Sequence, residues 1–300
     1  MKTFVSGTLL LLLAGCAAPL PDVDPEYRAQ ISEWRARRVE RLQAEDGWLT
    51  VVGLHWLRQG VNRFGSDPSI EVVLDAPGIP PIAGTLELGE QGVVARTASE
   101  AGVTINGEPF IESTVTSDAQ GRPDVFGLGR LSFYLIERSG KLAARVKDPE
   151  SDARRSFGGI EYFEIDERYR VTATLEAYEE LREVEIPTIT GDPAVMLAPG
   201  LLRFELDDHT LTLEPYVGSP EDDSYFLVFR DRTSGVTSYG GGRFLVADAV
   251  DQDGTTTIDF NYAYSPPCAF TAFATCPLPT PQNSLTVPIE AGEKFTAEGH

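Results

Sequence analysis

Cysteine and histidine are the scarcest reactive side chains in this 300-residue chain, three of each. Cys268 and Cys276 lie in one short segment, and three readings of the pair stay open. A disulfide would suit an oxidising compartment and, in the chain-entropy treatment, contributes about 2.6 kcal/mol. Two buried thiols are the second reading. Chemistry or a metal is the third, and the weakest, because a zinc site wants further His or Cys ligands and a nucleophile wants an adjacent base. His55 stands in an apolar run between Leu54 and Trp56, as a core or interface histidine does, and His209 follows Asp207-Asp208 at a hairpin tip. The chain has no H-E-x-x-H, G-x-S-x-G, Walker or dinucleotide glycine loop. Asp251-Gln252-Asp253-Gly254 reads as a hairpin turn, and Gly240-Gly241-Gly242 as a tight turn between strands. Neither a metal nor a cofactor is expected.

The segment from Asp259 to Asn283 holds five prolines, five aromatic residues and two cysteines. Proline at that density ends any regular strand beyond Tyr264, leaving an ordered loop packed by rings. Such loops on a rigid scaffold are where binding groups collect. Arg145, Lys147, Arg243, Asn261, Tyr264 and Asn283 are therefore the candidate ligand-binding residues. The competing reading is structural: each cation pairs with Asp148, Asp231 or Asp259. If the chain is an enzyme, Asp259 or Asp148 is the candidate base, beside Tyr or Arg.

The elements that must position these residues follow from local pattern. Met1-Lys2, the apolar run Phe4 to Leu13, and Leu13-Ala14-Gly15-Cys16 resemble the signal and lipobox of a bacterial lipoprotein. Residues 1–15 are then the signal peptide, and Cys16 is acylated and anchors the protein to a lipid membrane. Ala17 and Ala18 carry no retention aspartate, so in a Gram-negative cell the expected address is the cell envelope at the outer membrane. Residues 16–25 form a Pro-rich tether. Asp24-Pro25 opens a helix over residues 26–46, with Tyr27, Ile31, Trp34 and Leu42 on one face and Arg35, Arg37, Arg38 and Arg41 around it.

Strands follow at Leu49–Leu57, Ile70–Leu74, Val103–Asn106, Leu131–Ile136, 141–147, Leu201–Leu206, Thr210–Leu213, Tyr225–Phe229, Phe244–Ala247 and Thr255–Tyr262. Short strands with frequent turn signals predict an all-β chain of sandwich or barrel-like lobes with one N-terminal helix. The expected division is an N-terminal β lobe over 47–125 and a C-terminal lobe over 126–300. Twenty-five Lys and Arg against 46 Asp and Glu give a net charge of −21, which disfavours nucleic acid as a partner.

Gly47-Trp48-Leu49-Thr50-Val51-Val52-Gly53-Leu54, Asn62–Pro68, Arg145–Asp148, Tyr239–Leu245 and the 259–283 segment resemble the DUF1684 family, over about residues 30 to 295. That family is of unknown function, so the resemblance implies no catalytic role. Gly60–Gly65 and Ile105-Asn106-Gly107 are similar to the sandwich of forkhead-associated domains, without that family's Ser-x-x-His motif. Phosphothreonine recognition therefore does not carry over. Three function classes follow: binding of a small molecule, glycan or peptide; hydrolase-type catalysis; and envelope assembly through an exposed aromatic surface.

Overall fold

The computed structural model describes residues 23–295; the signal, Cys16 and most of the tether lie outside them. The chain is mostly β-strand with one long N-terminal helix, as the turn spacing predicts. Helix Pro25–Gln43 starts where the capping signal places it: the Asp24 carboxylate accepts from the backbone N–H of Glu26 and Tyr27. Tyr27, Ile31 and Leu42 are buried along one face. No helix among the described residues is long and apolar enough to cross a membrane.

Two sheets make the N-terminal body. A six-stranded sheet takes Val51–Trp56, Lys141–Lys147, Leu131–Arg138, Val125–Leu128, Thr104–Ile105 and Glu108–Pro109 in that order. A five-stranded sheet is built from strands between Gly60 and Val115. The two share one core, in which Phe64 meets Phe133 at 5.4 Å and Phe126 stacks on Phe133 at 4.4 Å. Strands 125–147, placed in the C-terminal lobe by a boundary at 126, thus complete the N-terminal core. Their inward side chains (Phe126, Leu131, Phe133, Val146) have their apolar partners in the strands before them.

A four-stranded sheet follows, ordered His209–Leu213, Ala194–Leu206, Arg170–Ile186 and Thr255–Asp259. Beside it lies the pair Ser224–Phe229 and Arg243–Asp248. Asp207 and Asp208 both have positive φ, at 46° and 62°, and make the tight turn expected between Ala194–Leu206 and His209–Leu213. The 17-residue strand Arg170–Ile186 alternates buried and exposed residues only in its first few positions. Its Glu-rich second half is largely exposed, and its register shifts between Ala177 and Arg182, so period-two hydrophobicity fails there.

Chain order leaves residues 284–295 to run back across this body, held by a buried charge. Arg243, fully buried, donates from Nη2 to Asp231 Oδ2 and to Ile289 O, each at 2.8 Å, and from Nη1 to Ala291 O. The other Asp231 oxygen accepts from the N–H of Thr233 at 2.8 Å and of Ile289 at 3.1 Å. Removing one member of such a pair strands the other charge in the core. Arg243→Met should therefore lower the unfolding free energy by about 3–5 kcal/mol in urea denaturation. Combining it with Asp231→Asn should cost less than the sum of the two single changes; strict additivity would count against the pair.

Candidate functional site

A cleft lies where the N-terminal helix meets the C-terminal body. It encloses about 820 Å³ between Trp34, Arg37, Arg38 and Arg41 of the helix, the Asp46-Gly47-Trp48 turn, and Phe226, Phe244, Tyr264 and Pro267 opposite. Helical spacing explains the near wall: positions 34, 38 and 41 recur at intervals of four and three and share a face. Gly47 closes the turn because a Cβ there would stand 2.4 Å from the Leu42 carbonyl oxygen. The far wall is the start of the proline-and-ring loop. Tyr264 N–H and O pair with Phe244 across an antiparallel bridge, which sets the two rings edge to face at 5.8 Å.

The three arginines are held differently. Arg38 is fixed: Nε donates to Glu293 Oε1 at 2.9 Å, Nη2 donates to Ser265 O at 2.8 Å, and the guanidinium lies 4.8 Å from the centre of the Tyr264 ring. The other Glu293 oxygen accepts from Ser265 N–H at 2.7 Å, so one buried carboxylate ties the helix to the loop. Arg37 pairs with Glu33 at the surface. Arg41 is exposed and, among the described residues, makes no ion pair or hydrogen bond. Burial pushes the Tyr264 hydroxyl above its usual range, with Arg38 opposing. The cleft therefore joins apolar rings to a spare cation.

The six residues selected from the sequence do not converge. Tyr264 alone lines the cleft. Arg243 is in the buried pair already described. Asn261 is sealed, its amide bonded to Asp166 O and N–H, Tyr27 Oη and Asp259. Asn283 is equally sealed: Oδ1 accepts from Glu214 N–H at 2.7 Å, and Nδ2 donates to Glu214 O and Val228 O. Lys147 donates to Asp46 O at 2.6 Å. Arg145 is buried with its guanidinium 4.9 Å from the Trp48 ring centre, touching a cleft residue from the scaffold side. Amide side chains beside proline loops have the chemistry to hold a ligand, but here they satisfy backbone groups that irregular chain leaves unpaired. The missed residues, Trp34, Arg38 and Arg41, carried a signal: arginines gathered around an amphipathic helix in an acidic chain.

Cys268 and Cys276 are free thiols in contact rather than a disulfide, with Cys268 N–H pointing at Cys276 Sγ at 3.2 Å. The two candidate carboxylates have structural partners. Asp259 accepts from Tyr27 Oη at 2.9 Å and from Asn261 N–H at 3.0 Å, and burial raises its pKa. Asp148 is clamped by Arg130 at 2.8 Å in a second cleft, of about 400 Å³, shared with His55. Burial keeps His55 below its usual pKa. Among the described residues no cluster of His, Cys, Asp and Glu could hold a metal.

Residues 155–294 match the family described as "Protein of unknown function (DUF1684)". No curated protein matches the chain. Among solved structures, the solution NMR structure of an uncharacterized protein of Haloarcula marismortui is 35% identical, with a TM-score of 0.42, covering 48% of this chain and 80% of that one. A structure from a study of phosphothreonine-dependent FHA domain interactions is 19% identical, with a TM-score of 0.23, covering 33% of this chain and 96% of that one. At that similarity it carries nothing over to this chain.

The Arg130 clamp gives a pH signature. Hydrogen bonds from Arg130 hold the Asp148 carboxyl below its ordinary value. Its contribution to stability is thus complete above about pH 4 and is lost as pH falls through the lowered value. Asp148→Asn should be less stable than the parent at pH 7, with the gap closing in acid; a gap that persists at low pH in thermal melts would contradict this.

Proposed function

We propose, for a chain whose residues 155–294 match the DUF1684 family, that it is a binding protein whose cleft takes an anionic ligand with a flat or apolar body. The observation that carries this reading is Arg41, an exposed guanidinium with no ion pair or hydrogen bond among the described residues, lining a cleft walled by Trp34, Trp48, Phe244 and Tyr264. In a chain of net charge −21, three arginines of one helix, Arg37, Arg38 and Arg41, bring positive potential to that wall. A carboxylate, sulfonate or phosphate would meet Arg41 and Arg37, and the attached ring or chain would lie against the aromatic side chains. Arg38, fixed by Glu293, orients the Tyr264 ring and is a positioning residue. A small molecule, an acidic glycan or a peptide carboxylate all satisfy this chemistry.

The address belongs to the same proposal. The lipobox-like Leu13-Ala14-Gly15-Cys16 and the tether after it support an envelope lipoprotein held to the membrane by acylated Cys16. On that reading the cleft-forming helix begins nine residues after the anchor, and the ligand is met near the membrane surface.

An aromatic sulfonate, 8-anilinonaphthalene-1-sulfonate, tests the cleft directly. Saturable one-to-one binding by fluorescence titration is expected. It should weaken about tenfold in Arg41→Ala, the scale of one hydrogen bond to a charged group, and weaken again with added salt. Binding that never saturates, or that Arg41→Ala and salt leave unchanged, would refute the assignment.

A further inference from the structure

The loop that walls the cleft contains a second arrangement, built on sulfur. We propose that Cys268 and Cys276 are a redox-active pair, bridged and reopened by exchange with low-molecular-weight thiols and disulfides. The geometry is the first support. Cys268 N–H lies 3.2 Å from Cys276 Sγ, and both thiols are unbridged. The chain between them is pinned at Thr271, whose Oγ1 donates to Val51 O at 2.9 Å, and the chain just beyond Cys276 is pinned by Leu278 N–H donating to Pro187 O at 2.7 Å. Tyr239 Oη donates to Cys268 O at 3.0 Å. The loop sets the Cys276 sulfur against the Cys268 backbone, so the two residues are neighbours in space, as a bridge requires.

The second support is Arg145. Its side chain is only 3% exposed, and Nε has no hydrogen-bond partner. No carboxylate among the described residues forms an ion pair with it. Its nearest polar contact is a long one, Nη2 to Thr275 Oγ1 at 3.3 Å, beside Cys276. A buried guanidinium without a counter-ion is costly. Arg145 faces the buried member of the pair, and once Cys276 gives up its proton in the exchange its sulfur supplies a negative charge beside that guanidinium.

The two sulfurs divide the work. Cys268 is half-buried and Cys276 buried, so an incoming disulfide meets Cys268 first. The hydrogen bond from Cys276 holds the Cys268 thiol below its usual range against the opposing cost of burial, while Cys276 is pushed up because it keeps the shared proton. In the first step Cys268 thiolate attacks oxidised glutathione, forming a mixed disulfide and expelling one glutathione thiolate. In the second, Cys276 passes its proton to the released thiolate and attacks the Cys268 sulfur. The second glutathione leaves as thiolate and takes up the proton that Cys268 had lost to solvent. The pair is oxidised by two electrons, and glutathione disulfide is reduced to two thiols. This chemistry stands whether or not the cleft takes a ligand.

The test uses the folded full-length chain equilibrated in glutathione redox buffers, quenched in acid, alkylated and peptide-mapped so that Cys16 is read separately. Both thiols should disappear together in one two-electron transition into a Cys268–Cys276 bridge, and dithiothreitol should restore both. Cys276→Ser should accumulate glutathione on Cys268, whereas Cys268→Ser should leave Cys276 unmodified. Two thiols that stay reduced in the folded protein but oxidise once it is unfolded in urea would overturn the proposal in favour of inert core cysteines. A bridge that dithiothreitol cannot open without unfolding would overturn it in favour of a structural cross-link.

Discussion

The C-terminal body depends on one buried charge. Arg243 has no access to water, and it meets Asp231 and the carbonyls of Ile289 and Ala291 in the interior. Those carbonyls belong to irregular chain, which has no ladder partner to satisfy it. A guanidinium with its donors in a fixed plane supplies several hydrogen bonds from one point. The segment 289–293 is thereby fixed against the sheets, and Glu293, two residues beyond Ala291, faces Arg38. The helix, the loop and the strand pair are thus joined through two buried ion pairs in series.

That series explains why the cleft is where it is. The N-terminal helix buries Tyr27, Ile31 and Leu42, but its basic side is not dissolved in solvent. Arg38 is drawn inward by Glu293 and Ser265 and lies over Tyr264, so neighbouring Trp34 and Arg41 border a concavity instead of an open surface. The loop opposite owes its shape to proline and ring packing, with Tyr264 bridged to Phe244 and Leu278 to Pro187. Rigidity in that loop serves two ends. It presents rings to the cleft, and it holds two sulfurs in contact beside a cation.

Several elements were legible because local rules and tertiary packing agree. The Asp24-Pro25 start, the Asp207-Asp208 turn and the strands around 131–147 and 224–248 follow their sequence signals closely. Elsewhere the signals misled. Residues 125–147 share the core of the strands before them because Phe126, Phe133 and Val146 pack with Phe64 and Leu86, and no turn residue records that choice. Asn261 and Asn283 have the composition of ligand-binding residues, yet they are committed to backbone groups. A polar side chain near a loop reads the same whether it faces a ligand or an orphan carbonyl.

From the order of its residues alone, this chain is set as an acidic, all-β protein with one capped helix and a stiff proline-rich loop. Those properties come from backbone preferences and hydrophobic spacing acting over a few residues. Tertiary structure alone decided which side chains meet. Arg38 and Glu293 are 255 positions apart, and Arg145 and Thr275 130, and no local pattern encodes such pairs. Sites are made of contacts between distant segments, and only the packing of the whole core chooses among the many partners available to each charge.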